Sequence, residues 1–369
     1  MKRNVYAALL ILLSLMACQN DFEDKSYPLD NRDSESMIKK QSNLVENVGL
    51  IEIDGTQMLV FPSWEKYHET IEYLDRRSDE IYREFNYRLP ENISMEEYEE
   101  RARAVGFDED NVLLEFERDL GFSSLRNAIE RLEEQWLEGL GDEEWDASSD
   151  PDNHFIEDNA ERALLSTSAE VVIDNEAEGL IYYKLLDDEG SWIEVHNWDV
   201  EAIIGVRNGR INYSNPSVKL IQSIESRNGE CKSKVTNISY HTGGRNTRVK
   251  QIAKLRRETG LWDSKIKSKT KGYVKKRGSW KAAVSPISAG INGRQFGAMG
   301  TVSVHCGQEF NVKEFKYARK RSVKVKRTIP QWIGKDSDRK WITIRKYGVY
   351  SSHGQNNILA VNRDFFDNQ

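Results

Sequence analysis

Apolar side chains recur every three or four residues from Met58 to Leu140, and at every second residue from Val171 onward. The first spacing is that of helices with one buried face, the second that of half-buried strands. Trp64, Tyr67, Ile71, Leu74, Ile81 and Phe85 fall on one helical face, and Ser63, after Pro62, is placed to cap it. Ser94-Met95-Glu96-Glu97 has capping-box spacing and predicts a second helix with Met95, Tyr98, Ala102 and Val105 inward. A third helix is expected to start near Asn111. A fourth is expected from Ser124 towards Leu140, with Leu125, Ile129, Leu132 and Trp136 inward and Gly139 and Gly141 at its end. These aromatic and aliphatic stripes are read as core.

"VVID", "LIYYKLL" and "WIEV" predict the first strands, and "TVSVHC", "RSVKVKR" and "RKWITIRKY" later ones. Asn208-Gly209, Asn228-Gly229 and Asn292-Gly293 supply the positive φ angles of tight turns, so each is expected to join two antiparallel strands. One helix is expected to interrupt the strands around Val249 to Glu258. The fold class expected is α+β, an acidic helical N-terminal region followed by an antiparallel β-rich C-terminal domain, as a sandwich or a partly closed barrel. The segments expected are 1–17, 18–47, 48–165 and 166–369, the last strongly basic from about residue 217.

Ahead of the helices, Lys2 and Arg3 precede an apolar run from Val5 to Met16. The run is too short to span a bilayer, which takes about 20 apolar residues, and fits the hydrophobic core of a secretory signal peptide. It ends in Leu15-Met16-Ala17-Cys18, which resembles the lipobox of bacterial lipoproteins. That resemblance implies that Cys18 becomes the lipidated first residue and anchors the chain to a membrane. Asp21, Glu23 and Asp24 directly behind it resemble the export tag of surface lipoproteins of the Bacteroidota. The location implied is the outer face of the cell outer membrane. Gln19 to about Asn47 is polar and without sustained periodicity, as a flexible tether would be.

The net charge of −7 conceals a division. Gln19 to Pro216 holds 18 Lys and Arg against 50 Asp and Glu, whereas Ser217 to Gln369 holds 33 against 10. Such asymmetry points to an interaction, either with an outside polyanion or between the two halves of the molecule. Once Cys18 is lipidated, Cys231 and Cys306 remain. An oxidising exterior permits them to pair, which would contribute roughly 4 kcal/mol by the chain-entropy estimate.

"MLVFPSWEKYHETIEYL", "LEFERDLGFSSLRNAI" and "AEGLIYYKL" resemble recurring segments of uncharacterised lipoproteins of gut Bacteroidota. Those proteins join a lipobox, a short helical region with a Gly-Phe-x-Ser-Leu turn, and a β-rich C-terminal part. Gly121-Phe122-Ser123-Ser124-Leu125 fits that turn. The resemblance spans about the first two-thirds of the chain; it implies location and layout, with no activity attached.

Chemistry is less legible. The six histidines are scattered singly, and no nucleophile elbow, Walker loop, dinucleotide fingerprint or zinc spacing occurs. No catalytic residue, metal or cofactor is assigned. His305 and Cys306 are consecutive in an expected strand and would point to opposite faces. Asp150, Asp152, Asn153 and Asp158, in an acidic turn-rich stretch, lack the central Gly and closing Glu of a calcium loop, and a solvated loop is the expectation.

The strongest local feature is basic. Lys265, Lys267, Lys269 and Lys271 stand at alternate positions, which on a strand puts four ammonium groups on one face at roughly 6–7 Å intervals. Lys275, Lys276 and Arg277 extend the charge, and Arg319, Lys320, Arg321, Lys324, Lys326 and Arg327 form a second cluster. Together they are expected to bind a polyanion such as an acidic glycan, with nucleic acid electrostatically equivalent and Tyr273 and Trp280 available to stack. Two other readings stay open: an envelope assembly protein whose acidic and basic halves mate, and a hydrolase of glycan or peptide.

Overall fold

The computed structural model describes residues 48–90, 93–141, 145–187, 190–221, 234–244, 246–256, 264–298, 308–329, 341–353 and 358–364. The signal peptide, the tether, Cys18, Asn228-Gly229 and the Cys231–Cys306 pair lie outside the described residues, as does His305. The fold is mixed α+β, with no closed barrel among the described residues. No helix among them is long and apolar enough to cross a membrane.

The first sheet has six strands in sequence order: β1 (Gly49–Ile53), β2 (Thr56–Phe61), β3 (Glu170–Asn175), β4 (Gly179–Leu185), β5 (Trp192–Val195) and β6 (Val218–Ile221). Every pairing is antiparallel except that of β2 with β3, where Val60 meets Val172 and Phe61 meets Ile173. The sheet therefore takes strands from both sides of residue 165, the boundary expected between helical and β-rich parts. Met58, expected to open the helical region, lies in β2. A two-residue hairpin at Asp54 and Gly55 (φ 49° and 72°) joins β1 to β2, a type I′ geometry that matches strand twist.

Between β2 and β3 run α1 (Trp64–Tyr87), α2 (Met95–Ala104), α3 (Asn111–Leu120), α4 (Leu125–Gly139) and the single turn α5 (Asn159–Arg162). The starts of α1 to α4 are those the sequence predicts, whereas α5 lies in a stretch expected to be a loop. The Ser63 side chain accepts from Lys66 N at 3.1 Å, and Ser94 and Glu97 close a reciprocal capping box. Two inward assignments are corrected. Val105 is 59% exposed because α2 has already ended there, and Leu132 is 48% exposed because the buried face of α4 runs through Ile129, Glu133 and Leu137 instead.

The Gly-Phe-x-Ser-Leu turn is a helix corner. Gly121 ends α3 at φ 62°, Phe122 drops into the core, and Ser124 caps α4 by accepting from Asn127 N at 3.2 Å. The Ser124 hydroxyl donates to buried Glu117 at 2.5 Å, and Arg126 clamps the same carboxylate with Nε at 2.8 Å and Nη2 at 2.5 Å.

One face of the six-stranded sheet packs on α1, α3 and α4 through Leu59, Phe61, Val171, Ile173 and Tyr183. The other face, with Met58, Val172, Tyr182 and Ile193, is covered by α6 (Val200–Arg207). Covered on both sides, the β3 stretch Glu170–Ile173 is buried throughout and does not alternate. Asn208-Gly209 caps the end of α6 (Gly209 φ 69°) and turns no hairpin.

The C-terminal part forms two more sheets. One comprises β7 (Lys234–Gly244), β8 (Thr247–Arg256), β9 (Ser264–Lys276), β10 (Ser279–Ala282) and β13 (Ser322–Ile329); β10 and β13 share one edge of β9. The other runs β12 (Gln308–Lys320), β11 (Ser285–Ala298), β14 (Trp341–His353), β15 (Ile358–Asp364). β11 packs across β9 and β13. The helix expected around Val249 to Glu258 is the strand β8: pairing on both edges, to β7 and β9, overrides the local helical spacing. Asn292-Gly293 is likewise no turn, since it lies within β11 paired on both sides. The tight hairpin here is made by Arg277-Gly278 (φ 54° and 91°), between β9 and β10.

Gly190 sits at φ 91° with the Phe155 ring 2.3 Å from where a Cβ would lie. Gly190→Ala is expected to lower stability by about 2–3 kcal/mol, combining backbone strain with overpacking. Gly55→Ala, with open space around it, is expected to cost only about 1 kcal/mol. Urea unfolding of both variants checks the contrast.

Candidate functional site

Lys267, Lys269 and Lys271 project from one face of β9, as their alternation requires. The neighbouring strands enlarge the row: Lys324 is paired with Lys269, Lys326 with Lys267, and Lys250 of β8 with Lys271. Like charges directly opposite each other destabilise a sheet. Here carboxylates from the acidic half fill the space above them.

The stretch expected to be a solvated loop supplies most of these carboxylates, and Asp150, Asp152, Glu157 and Asp158 are buried. Lys250, with no exposed surface, donates to Asp150 at 2.8 Å and Glu133 at 3.2 Å and lies 3.1 Å from Asp152. Asp152 also accepts from Lys269 at 3.2 Å and Arg162 at 2.7 Å. Lys271 and the Tyr273 hydroxyl both donate to Glu133. Asp158 accepts from Lys324 at 2.7 Å and Lys326 at 3.2 Å, and Asp75 of α1 faces the same two lysines at 2.6 and 3.2 Å. The carboxylates considered for calcium, Asp150, Asp152 and Asp158, are thus held by ammonium and guanidinium groups, while Asn153 is exposed. Among the described residues no His, Cys, Asp and Glu group is arranged to hold a metal.

Burial alone would push these carboxyls up. Lysine charge outweighs it, so Asp152 and Asp158 titrate well below the usual range and Glu133 falls to about 2. Lys250 is driven the other way: burial disfavours its charge, and Asp152, Glu133 and Asp150 more than restore it. Lys267 and Lys269 are lowered instead, because burial outweighs their carboxylates. Lys267 falls to about 7, with Asp158, at 3.8 Å, also serving Lys324 and Lys326.

The second basic cluster is held by the helices. The turn Arg319-Lys320-Arg321 enters a claw formed by α1, α2 and the start of α3. Arg319 N donates to the Tyr82 hydroxyl at 2.9 Å, and Arg321 N donates to both oxygens of Glu109 at 2.8 and 3.1 Å. The Arg321 guanidinium reaches Asp108 and, at 2.9 Å, Asp110. Lys316 and Lys320 share Asp79, and the Lys320 ammonium lies 4.1 Å from the Tyr82 ring centre. Burial pushes Glu109 up to about 7.

Lys276, Arg277 and Lys281 remain exposed around the β9–β10 hairpin with Lys275 half-buried, and Lys276 meets Glu99 at 3.5 Å across open surface. Lys265 and Arg327 are placed by register alone, opposite Thr328 and Ile266. Tyr273 and Trp280 are no stacking platform: both are buried in a cluster with Trp145, and the Arg248 guanidinium lies 4.9 and 5.0 Å from the ring centres of Trp145 and Trp280.

Between the two halves lies a cleft of about 630 Å³, walled by α1, α3 and α4 on one side and by β9, β10, β12 and β13 on the other. Acidic and basic side chains line it in nearly equal number. Sequence reasoning found most of the basic wall but missed Lys250 in it, and missed its partners Asp75, Asp79, Glu133 and the Asp108–Asp110 run. One signal pointed to them. In the middle of β9 the residues alternating with the lysines are Ser268, Thr270 and Gly272, with Ile266 and Val274 only towards its ends, so that face offers little apolar surface to bury in place of the charged one.

No family model matches this chain, and no curated protein does. Among solved structures it is similar to a DUF4848 family protein from Bacteroides thetaiotaomicron, at 10% identity and a TM-score of 0.18, over 84% of this chain and 96% of that one. A similarity of that degree carries no statement about activity.

Asp158→Asn leaves two lysines without their shared anion and is expected to destabilise by about 3–5 kcal/mol, whereas Lys276→Ala should change stability by less than about 0.5 kcal/mol. Urea unfolding distinguishes them. Glu133 contributes stability that is present above its usual 4.5 and lost as pH falls through about 2, so unfolding should be acid-driven in that window. Lys267 gives the same slope at higher pH: between about 7 and 10.5 the unfolded lysine holds a proton that the folded one has released, so stability rises with pH there too. Lys267→Met should flatten that rise in a pH series of unfolding midpoints.

Proposed function

We propose that this chain is a binding protein, anchored by lipid on Cys18 and displayed on the outer face of an outer membrane, whose two charged halves are each other's partner. The reading rests on one observation: every lysine of the described basic face lies within ion-pair distance of an acidic side chain of the N-terminal half. In this reading the two C-terminal sheets act as a sandwich that supports the lysine face, and the cleft left where the halves meet is the ligand seat. Enclosed clefts of this size at the junction of two parts are the usual place for small ligands. Catalysis is the weaker reading. Asp79 and Glu109 differ in environment, but the first is neutralised by Lys316 and Lys320 and the second is tied to the Arg321 backbone.

Of the basic clusters among the described residues, an outside polyanion would then find the hairpin cations, Lys275, Lys276, Arg277 and Lys281, the most accessible. The full chain is expected to leave immobilised heparin below about 0.2 M salt, since few phosphate-like contacts give a shallow salt dependence. Lys276→Ala with Arg277→Ala should remove that retention. Retention of the full chain well above that salt would restore the polyanion reading and overturn this one. Cys18→Ala should release the protein from membranes or leave an unprocessed precursor, read by fractionation and mass; unchanged association and processing would overturn the anchor.

A further inference from the structure

Most contacts between the halves set a carboxylate against a cation, but the claw on the Arg319–Arg321 turn is built differently. Asp108, Glu109 and Asp110 are consecutive and face one guanidinium, that of Arg321, which reaches Asp108 and Asp110. The Glu109 carboxylate takes the uncharged Arg321 N–H, at 2.8 and 3.1 Å. The neighbouring ammonium, Lys320, is engaged with Asp79 at 3.2 Å. From α1 and α2, the Tyr82 and Tyr98 hydroxyls bracket the same turn, through Arg319 N at 2.9 Å and Arg319 O at 3.4 Å. α2 itself is lightly held. Tyr98 is the one buried side chain among those described in α2, and its ring meets Phe85, which also stacks on Phe107 at 4.0 Å. Elements held by so few buried groups open locally before the rest of a fold does.

A carboxylate in that place carries two costs. It gives up water for a neutral donor, and it stands beside the carboxylates of Asp108 and Asp110. A proton on Glu109 removes both, and the remaining carboxyl oxygen still accepts from Arg321 N. With the claw open, Glu109 returns to water and to its usual 4.5; closed, burial holds it at about 7. The closed claw therefore binds the proton more tightly, and by linkage the proton favours closure. We infer that the claw is a proton-operated latch: a proton taken up by Glu109 in mild acid fastens the helices to the turn between β12 and β13, and its release towards neutral pH loosens them. Asp108, Glu109, Asp110 and Arg321 line one end of the cleft, so the latch governs how far that end is shut. Its working range, between 4.5 and about 7, lies above that of Glu133 and below that of Lys267. Tyr82 and Tyr98 stay uncharged throughout it, since burial pushes Tyr82 up to about 12 and raises Tyr98 as well. The latch works whether or not the cleft holds a ligand.

The test is amide hydrogen exchange of the full chain, read at Arg319 and Arg321 and corrected for the intrinsic dependence of exchange on pH. Protection there is expected to fall on the order of thirtyfold between pH about 5 and about 7. Glu109→Gln fixes a neutral side chain that can still accept from Arg321 N, so protection should stay high at both ends of that range. Tyr98→Phe removes a grip without touching the proton site, so protection should drop equally throughout and keep its slope. Asp110→Asn removes a neighbouring like charge and should move the midpoint to lower pH, a reading of the same proton that does not need the Gln variant. A flat profile in the unaltered chain would overturn the latch. So would an undiminished slope in Glu109→Gln, a slope lost in Tyr98→Phe, or an unmoved midpoint in Asp110→Asn.

Discussion

The structure depends on taking lysines out of water. An ammonium group buried without a partner costs several kcal/mol, and Lys250, Lys267 and Lys269 are buried side by side on neighbouring strands. Only carboxylates brought to the same depth make that tolerable. They come from Glu133 on α4, from Asp75 on α1 and from the segment that carries Asp150, Asp152 and Asp158. Neither side is satisfied alone: the sheet would repel itself, and the acidic segment would hold four carboxyls away from solvent. Two stretches of opposite composition thereby become one cooperative body.

The same rule works on a smaller scale elsewhere. Glu117 takes Ser124, Arg126 and Asn127 at the corner between α3 and α4, and Glu170 takes Tyr182, Lys184 and Arg207 where α6 crosses the sheet. In each case one buried carboxylate satisfies several donors, which specifies a single arrangement of the elements around it. The Arg319–Arg321 turn repeats the pattern with the backbone itself as donor.

The helices were legible because their signals are local. Ser63, Ser94 and Ser124 stand where caps are needed, and Gly121 stands where a helix must end. What failed were inferences that needed a distant partner. The Val249–Glu258 stretch reads as helix until strands bind both of its edges, and Asn292-Gly293 reads as a turn until β12 and β14 flank it. Charge behaved the same way. Alternating lysines beside a long acidic half left an outside polyanion and the acidic half itself as open partners, because sequence does not reveal which carboxylate lies opposite. The small polar alternates Ser268, Thr270 and Gly272 in the middle of β9 were the one clue that the charged face itself is buried.

The parallel pairing of β2 with β3 carries a consequence for how the chain reaches this state. β2 obtains its second strand neighbour only when Val172 and Ile173 arrive opposite Val60 and Phe61, after every helix from α1 to α5. The central contact of the first sheet is thus long in sequence, and closing it bears an entropic cost that local helix formation cannot remove. Emerging from the amino end, the chain can form its helices early but must leave β1 and β2 as a lone hairpin, which is marginal in water. A strand order that waits for its second half keeps the early part loose during synthesis, the condition under which a polypeptide can still be threaded through a narrow pore.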